Sequence, residues 1–224
     1  MVENSVFCID PEKYGADIPI TPQEKFVNSV YASVDEAVRR ELSRLRSEDD
    51  VIPTCKLGCY HCCRQHILTN IAEAKSLVQY VKREFSIGQI YELRLRTQQW
   101  HEWDDIRAGR YPSTNIDQKI ALSDDYNLYC PLLVEGACGA YSMRPVICRT
   151  HFVCSDPSIC RQTNDPESIK GDPLALTTVV MAASPFSVVL RDRIENAGLD
   201  FHRSIMLLPH WLANAMGWDF AVSL

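Results

Sequence analysis

The chain has 224 residues, of which 46% are hydrophobic, and its formal net charge at pH 7 is -6. This length and composition allow one sizeable core, so we expect a single domain over residues 1–224. The acidic balance argues against a nucleic acid partner. Residues 1–10 have neither a basic start nor an apolar run, and no uncharged stretch reaches the ~20 apolar residues of a membrane span, so we predict a cytoplasmic protein that does not bind membranes.

The first predicted element is a long amphipathic helix over residues 21–48. Thr21-Pro22-Gln23-Glu24 is a capping box with proline at the first helical position. The apolar face of this helix repeats at spacings of three and four residues. It consists of Val27, Val30, Val34, Val38, Leu42 and Leu45.

Two further helices are predicted before the middle of the chain. Asn70, with Glu73 three residues later, predicts the start of the second helix. The apolar face of this helix is Ile71, Ala74, Leu77, Val78, Val81 and Phe85. The third helix, around Trp100 and Trp103, is predicted to end near Gly109, and its two tryptophans are expected in the core. Residues 111–127 are predicted to form a loop.

The next segment is predicted to be less regular. Residues 129–141 are typical of a short hairpin with Glu135 and Gly136 at its turn. After Arg144 and Pro145, a short helical turn is predicted to carry Cys148. This segment is therefore expected to place cysteines on tight turns rather than on long helices.

The tail is predicted to be helical again over residues 172–218. Asp172-Pro173 is interpreted as the helix cap, Gly198 as the end of one segment, and Pro209 as a kink or break in the last. The fold class predicted from these elements is mostly α. We expect a single compact helical domain, in which helices 21–48 and 172–218 flank an irregular, metal-organised cysteine-rich region at residues 51–160 with one short hairpin.

The cysteines carry the functional information. Free thiols in a reducing compartment serve as apolar fillers, catalytic groups or metal ligands. Apolar fillers would scatter along the chain, but nine of the ten cysteines fall into two segments. The first segment contains Cys55, Cys59, Cys62 and Cys63, and the second contains Cys130, Cys138, Cys148, Cys154 and Cys160. Only Cys8 stands alone, and we interpret it as a bystander.

The spacing within the first segment favours a soft metal ion. Cys59 and Cys62 form a C-x₂-C pair, which turns the backbone so that two sulfurs face one ion, and Gly58 permits the tight bend. Cys55 adds a third sulfur. Adjacent side chains point apart, so Cys62 and Cys63 fit one tetrahedral ion poorly and favour two neighbouring sites or a bridged cluster. The remaining donors are expected from the second segment: Cys130, Cys138 and Cys148.

Basic side chains flank the cysteines. Several thiolates around one divalent ion leave a net negative charge, which is costly in a partly buried site unless cations or amides surround it. The flanking cations are Lys56, Arg64, Arg144, Arg149 and Arg161. We predict the compensating role for Arg144 and Arg149 above the others. Arg149 is further expected to donate hydrogen bonds to sulfur or to hold Asp156.

Taken together, these motifs resemble a known family. They are Cys55-Lys-Leu-Gly-Cys59-Tyr-His-Cys62-Cys63, then Cys130-Pro-Leu-Leu, Cys138-Gly-Ala-Tyr141 and Arg144-Pro145-Val-Ile-Cys148-Arg149. Over roughly residues 51–155 this combination resembles the YkgJ-type cysteine-cluster family, described as a zinc- or iron-chelating CxxCxxCC domain. A similar pattern occurs in flagellin lysine-N-methylases. The resemblance implies metal ligands at Cys55, Cys59, Cys62, Cys63, Cys130, Cys138 and Cys148. For an eighth ligand we choose Cys154, ahead of Cys160.

The identity of the metal stays open between zinc and iron, including an iron–sulfur cluster. Structural zinc sites usually have two C-x₂-C pairs and this chain has one, whereas iron–sulfur ligation tolerates scattered cysteines and a Cys-Pro step such as Cys130-Pro131. Two functions follow. In the first, the metal organises the fold and presents a surface to a protein partner. In the second, an iron–sulfur centre serves a redox or modifying enzyme that acts on protein side chains. No catalytic residue is assigned.

Two other interpretations are weaker. His61, His66 and His151 lie in or beside the cysteine segments, but with enough thiols present we expect them outside the ligand set. The spacing Cys55-x₃-Cys59-x₂-Cys62 equals that of radical S-adenosylmethionine enzymes. Those enzymes place it in a repeating β/α barrel, and this sequence has no alternating βαβ pattern.

Overall fold

A computed structural model of the chain describes residues 18–56, 58–107, 128–162 and 173–220. Within these residues the structure is dominated by α-helices. They are α1 (Pro22–Glu48), α2 (Ile71–Glu84), α3 (Ile87–Arg107), α4 (Val146–Thr150), α5 (Pro157–Gln162), α6 (Thr177–Asn196) and α7 (Leu208–Met216). Helices α1, α2, α6 and α7 enclose most of one hydrophobic core, to which α3 also contributes. The prediction of a mostly α fold is confirmed.

Strands are few and short among the described residues. The strand β1 (Leu68–Thr69) pairs in antiparallel fashion with β4 (Met206–Leu207), and β2 (Leu133–Val134) pairs with β3 (Ala137–Cys138). Single turns of 3₁₀ helix cover His61–Arg64, Tyr141–Met143 and His202–Ser204. The β1–β4 pair, which the sequence did not predict, joins the start of α2 to the start of α7.

The first helix begins where the sequence predicts, although only half of the capping box forms. Thr21 Oγ1 accepts a hydrogen bond of 3.1 Å from the Glu24 amide, with Pro22 in the first turn. The Glu24 carboxylate does not reach back to Thr21. It is buried, and it receives two hydrogen bonds of 2.6 and 2.9 Å from the Arg83 guanidinium. The side chain therefore ties α1 to α2 instead of capping its own helix.

The second helix starts at the predicted cap. Asn70 Oδ1 accepts hydrogen bonds from the amides of Ala72, at 3.0 Å, and Glu73, at 3.1 Å. The predicted apolar face is largely buried: Ala74, Leu77, Val78, Val81 and Phe85 are each at most 7% exposed. Trp100 and Trp103 on α3 are also buried, as predicted.

The tail differs from the prediction at Pro173 and Pro209. Helix α6 begins at Thr177, after Pro173, and Asp172 lies outside the described residues. Gly198, with a φ of 77°, follows the end of α6 as predicted. Pro209 neither kinks nor breaks α7: it lies in the first turn, where a missing amide costs no hydrogen bond. Of the helices in the described segments, none is both long and apolar enough to cross a membrane.

Three predictions fall outside the described residues: Cys8, the helix end near Gly109 and the loop at 111–127. The predicted cysteine-rich region at 51–160 contains β1, α2 and α3 as well as both cysteine segments.

Candidate metal centre

The first cysteine segment forms the tight turn that its glycine predicts. Gly58 has a φ of 86°, and the Cys59 amide donates to the Lys56 carbonyl at 2.9 Å. The chain then enters the 3₁₀ turn His61–Arg64, where the Cys63 amide donates to the Tyr60 carbonyl at 2.9 Å. Four thiols are thus presented from one compact loop.

Backbone hydrogen bonds hold the second cysteine segment against the first. The Cys130 amide donates to the Cys63 carbonyl at 2.7 Å, and the Thr54 amide donates to the Val153 carbonyl at 2.9 Å. The Val153 amide also lies 3.4 Å from Cys55 Sγ, within hydrogen-bond distance of sulfur. The first segment is therefore fixed on both sides by residues distant in sequence.

The predicted hairpin is confirmed. Strands β2 and β3 pair with Leu133 opposite Cys138, and the two turn residues Glu135 and Gly136 have φ values of 49° and 79°. Positive φ at both central residues is the geometry of a type I′ hairpin turn, which glycine makes accessible. Cys130 consequently lies just before the hairpin, and Cys138 lies in its second strand.

Cys148 lies on α4, the short helical turn predicted after Pro145. The Cys148 amide donates to the Pro145 carbonyl at 2.9 Å. Helix α4 packs against α1 and α6, which brings it to the edge of the core. Cys148 on α4 thereby faces the same cavity as Cys138 of the hairpin.

Six of the predicted ligands line one cavity of about 120 Å³. They are Cys59, Cys62, Cys63, Cys130, Cys138 and Cys148. The remaining wall includes Ile67, Leu132 and Leu208, so the thiols lie in largely apolar surroundings. The structure thus brings thiols from both segments together around a single space.

The adjacent cysteines of the first segment interact directly. The interaction with the adjacent Cys63 thiol lowers the pKa of Cys62 to about 7. The same interaction, together with burial, raises the pKa of Cys63 well above its ordinary value. The pair therefore loses a first proton easily and holds the second one strongly.

Burial dominates the other thiols of the cavity. Burial first, and then the nearby sulfurs of Cys138 and Cys62, raise the pKa of Cys130 to about 12. Burial also raises the pKa of Cys138 and of Cys148. A buried thiolate is stable here only if a cation balances its charge.

The structure separates Cys160 from Cys154. Cys160 lies on α5, which packs against the 3₁₀ turn His61–Arg64. Burial raises the pKa of Cys160, and the neighbouring sulfurs of Cys55, Cys59 and Cys62 raise it further. Cys154 Sγ donates to the Leu174 carbonyl at 3.6 Å instead, and neither Cys154 nor Cys160 lines the cavity.

Helix α5 was missed from the sequence, although a signal for it exists. Asp156 caps this helix, because its Oδ1 accepts a hydrogen bond of 2.7 Å from the Ser158 amide. Pro157 occupies the first helical position. The Asp-Pro pair would have predicted a helix that carries Cys160, but not the direction in which Cys160 faces.

Arg144 is a cation that faces several of the thiols, while Arg96 acts on Cys130. Burial raises the pKa of Cys138 and Cys148, and the Arg144 charge acts in the opposite direction on both. Its guanidinium carbon lies 3.6 Å from the centre of the Tyr141 ring, and its Nε donates to the Tyr141 carbonyl at 3.2 Å. Arg144 also lines the cavity, as the sequence predicts for a compensating cation.

Arg149 does not occupy its predicted place. Its Nη1 donates to Asp35 on α1 at 2.6 Å, and its Nε donates to the Arg144 carbonyl at 2.8 Å. Its Nη2 donates to the Ser142 carbonyl. The prediction that Arg149 donates to sulfur or holds Asp156 is therefore wrong. Arg149 is 5% exposed, and its guanidinium binds the carbonyls of Ser142 and Arg144 in the loop before α4.

Three histidines lie in or beside the cavity, and the surroundings of His61 and His151 disfavour the charged form. Burial lowers the pKa of His61, with a further lowering from Arg161 and Arg64, and burial alone lowers the pKa of His151. The His66 ring lies 5.6 Å from the Trp103 ring and 6.1 Å from the Trp100 ring, centre to centre. His66 and His151 also line the cavity.

The chemistry of the donors fits a soft metal, whereas their placement is not a finished coordination shell. The nine cysteines in the described residues are all free. In those same residues, no three cysteine, histidine, aspartate or glutamate side chains converge closely enough to hold an ion. Clustered free thiols from two segments, with an arginine facing them, nevertheless match the preference of zinc and iron for sulfur.

No family model, curated protein or solved structure matches this chain. The resemblance to the YkgJ-type family therefore rests on the cysteine motifs and their spacing. The geometry of the cavity is an independent observation, since it groups the same residues without reference to any relative.

Proposed function

We propose that the protein chelates zinc or iron, including an iron–sulfur cluster, through thiolates from its two cysteine segments. The observation that carries this proposal is the cavity lined by six cysteines from both segments. Clustered free thiols of this kind have few uses in a reducing compartment other than metal binding. The metal would supply the positive charge that several buried sulfurs require.

We infer two groups of donors. The pKa of Cys160 is raised by Cys55, Cys59 and Cys62, and the pKa of Cys63 is raised by Cys62, Cys130 and Cys138. Cys62 also raises the pKa of Cys130, Cys138 and Cys148, so it lies at the border between the two sets. We therefore assign Cys55, Cys59, Cys62 and Cys160 to one group, and Cys63, Cys130, Cys138 and Cys148 to the other. This division places the adjacent pair in different groups, so that their interacting sulfurs lie where the two groups meet. It also replaces Cys154 with Cys160 as the eighth donor.

The role that we favour is organisation of the fold for a protein partner. Metal binding would join segments that hydrogen bonds alone hold together, and so contribute directly to stability. Arg144 would offset part of the negative charge of the sulfurs. We further propose a cytoplasmic location, because free thiols persist there as reduced ligands.

A second candidate is the iron–sulfur redox or modifying enzyme. The observation that favours it is a second part of the cavity wall, where Tyr60, Tyr141 and Ile147 lie beside the cysteines. Tyr141 and Ile147 are about half exposed, at 50% and 47%. A substrate side chain could therefore approach the sulfurs from this face.

Elemental analysis and absorption spectroscopy of anaerobically purified protein test the proposal. We expect more than one metal ion per chain. A colourless zinc protein would favour the organising role, and a brown protein would favour an iron–sulfur centre. A single zinc ion per chain would contradict the two groups. Absence of both metals, even after reconstitution, would overturn the proposed function.

A further inference from the structure

Glu73 is a buried carboxylate beside the candidate metal centre. The donors of its side-chain hydrogen bonds are nitrogen and oxygen atoms, not thiols. It lies in the first turn of α2 and is 4% exposed. Its Oε2 accepts from Asn70 Nδ2 at 2.7 Å and from Thr69 Oγ1 at 3.2 Å. Its Oε1 faces away from α2 and accepts two hydrogen bonds from other elements.

The first of these hydrogen bonds caps α4. The Val146 amide, at the start of α4, donates to Glu73 Oε1 at 2.8 Å. The residue at the capping position is Pro145, whose side chain has no acceptor. A carboxylate normally caps its own helix from a nearby residue. Here the cap comes from a different helix, and so it fixes the position of α4 as well as its hydrogen bonding.

The second hydrogen bond joins Glu73 to the support of Arg144. Tyr31 Oη, on α1, donates to Glu73 Oε1 at 3.1 Å. The guanidinium carbon of Arg149 lies 4.0 Å from the centre of the Tyr31 ring. Arg149 in turn donates to the Arg144 carbonyl. One carboxylate oxygen thus contacts the first turn of α4 and, through Tyr31 and Arg149, the loop that precedes it.

We propose that Glu73 is the positioning residue of the second cysteine segment: by capping α4 from α2, it sets where Cys148 lies in the metal site. This inference rests on the proposed function. Cys148 lies two residues after Val146 on a helix of only five residues. A shift of the first turn of α4 therefore moves the Cys148 sulfur directly. Glu73 contacts no sulfur, and its effect on the metal passes through α4.

The sharpest test removes the hydrogen bond without touching Glu73. In Val146→Pro the amide is lost, while proline suits the first helical position and the extended conformation of Pro145, whose ψ is 157°. Val146→Ala is the matched control, because it shortens the side chain and keeps the amide. Zn²⁺-loaded variants are mixed with a chromogenic chelator, and the rate of Zn²⁺ release is measured together with the melting temperature.

We expect Val146→Pro to release Zn²⁺ about 10–100-fold faster than wild type, the usual effect of losing a group that orients a ligand, and Val146→Ala to stay near the wild-type rate. Equal release from the two variants would overturn the inference. A wild-type protein that retains no Zn²⁺ or iron would instead refute the proposed function, so the two failures are distinguishable.

A second set of variants decides the question if Val146→Pro does not fold. Glu73→Ala should accelerate Zn²⁺ release, and Glu73→Gln should restore most of the retention, since an amide oxygen at Oε1 still accepts from Val146. Glu24→Ala is the control, because it removes an equally buried carboxylate bonded to Arg83. It should lower the melting temperature without accelerating release. Equal acceleration by Glu73→Ala and Glu24→Ala would show that only stability had changed.

Discussion

The backbone amide of Cys130 donates a 2.7 Å hydrogen bond to the carbonyl of Cys63. This bond joins two cysteine segments that are separated by α2 and α3. The site is therefore built from long-range contacts, and the unfolded chain cannot preform it. Binding of a metal to such a site is coupled to folding of the chain around it.

The assignment of Cys160 is testable against Cys154, its neighbour in sequence. We predict that Cys160→Ser lowers metal content and melting temperature, because its sulfur faces the first segment. Cys154→Ser should leave the metal content unchanged, because its sulfur lies against the Leu174 carbonyl. Metal analysis and thermal melting of the two variants decide the matter. The reverse result would restore Cys154 as the eighth donor.

The two arginines around Cys148 are predicted to have different roles. Arg144→Ala should weaken metal retention with little change in the fold, because Arg144 faces the sulfurs. Arg149→Ala should chiefly lower stability, by about 1–3 kcal/mol, because it removes the hydrogen bonds to Asp35 and to the carbonyls of Ser142 and Arg144. A chelator titration combined with urea unfolding separates the two effects.

Two results would contradict this division of roles. Metal retention that is unaffected in Arg144→Ala would remove its function as the compensating cation. Loss of metal from Arg149→Ala at unchanged stability would return that function to Arg149. Arg149→Lys is a useful intermediate, since it keeps the charge and loses the planar arrangement of donors.

The sequence predicts the helices well because their signals are local. The caps at Thr21 and Asn70 involve residues within three positions, and so does the turn at Glu135 and Gly136. The fate of the Glu24 side chain was not predictable in this way. Its partner, Arg83, lies on another helix, and no local pattern distinguishes a reciprocal cap from an ion pair between helices.

The candidate site is predicted in composition but not in arrangement. Spacing identifies the clustered cysteines, whereas the choice between Cys154 and Cys160 depends on the orientation of α5. In the same way, adjacency to Cys148 suggested that Arg149 faces sulfur. Successive residues of a helical turn point in different directions, and Arg149 instead faces α1 and Asp35.

The buried ion pair between Glu24 and Arg83 is expected to contribute strongly to the stability of the packing between α1 and α2. Arg83→Ala should lower the free energy of unfolding by about 3–5 kcal/mol, because it leaves the Glu24 carboxylate buried without a partner. The double variant Glu24→Gln with Arg83→Ala should recover part of this loss. Urea unfolding of the two single variants and the double variant measures the coupling. Strictly additive effects would show that the two side chains act independently.

Glu73 is expected to make stability depend on pH. Burial raises its pKa above the ordinary value of 4.5, although hydrogen bonds from Val146 and Tyr31 act in the opposite direction. The folded chain therefore holds this proton more tightly than the unfolded chain does. The contribution of Glu73 to stability is fully present below pH 4.5 and is lost as the pH rises through the folded pKa.

Comparison with Glu73→Gln isolates this contribution, since the other titrating groups are common to both proteins. We predict that the unfolding free energy of wild type falls relative to Glu73→Gln as the pH rises above 4.5 in excess Zn²⁺. Each unit by which burial raises the pKa accounts for about 1.4 kcal/mol of this fall. A difference that grows in favour of wild type with rising pH would mean that the four hydrogen-bond donors outweigh burial. Glu73 would then be held as a carboxylate whose negative charge itself caps α4.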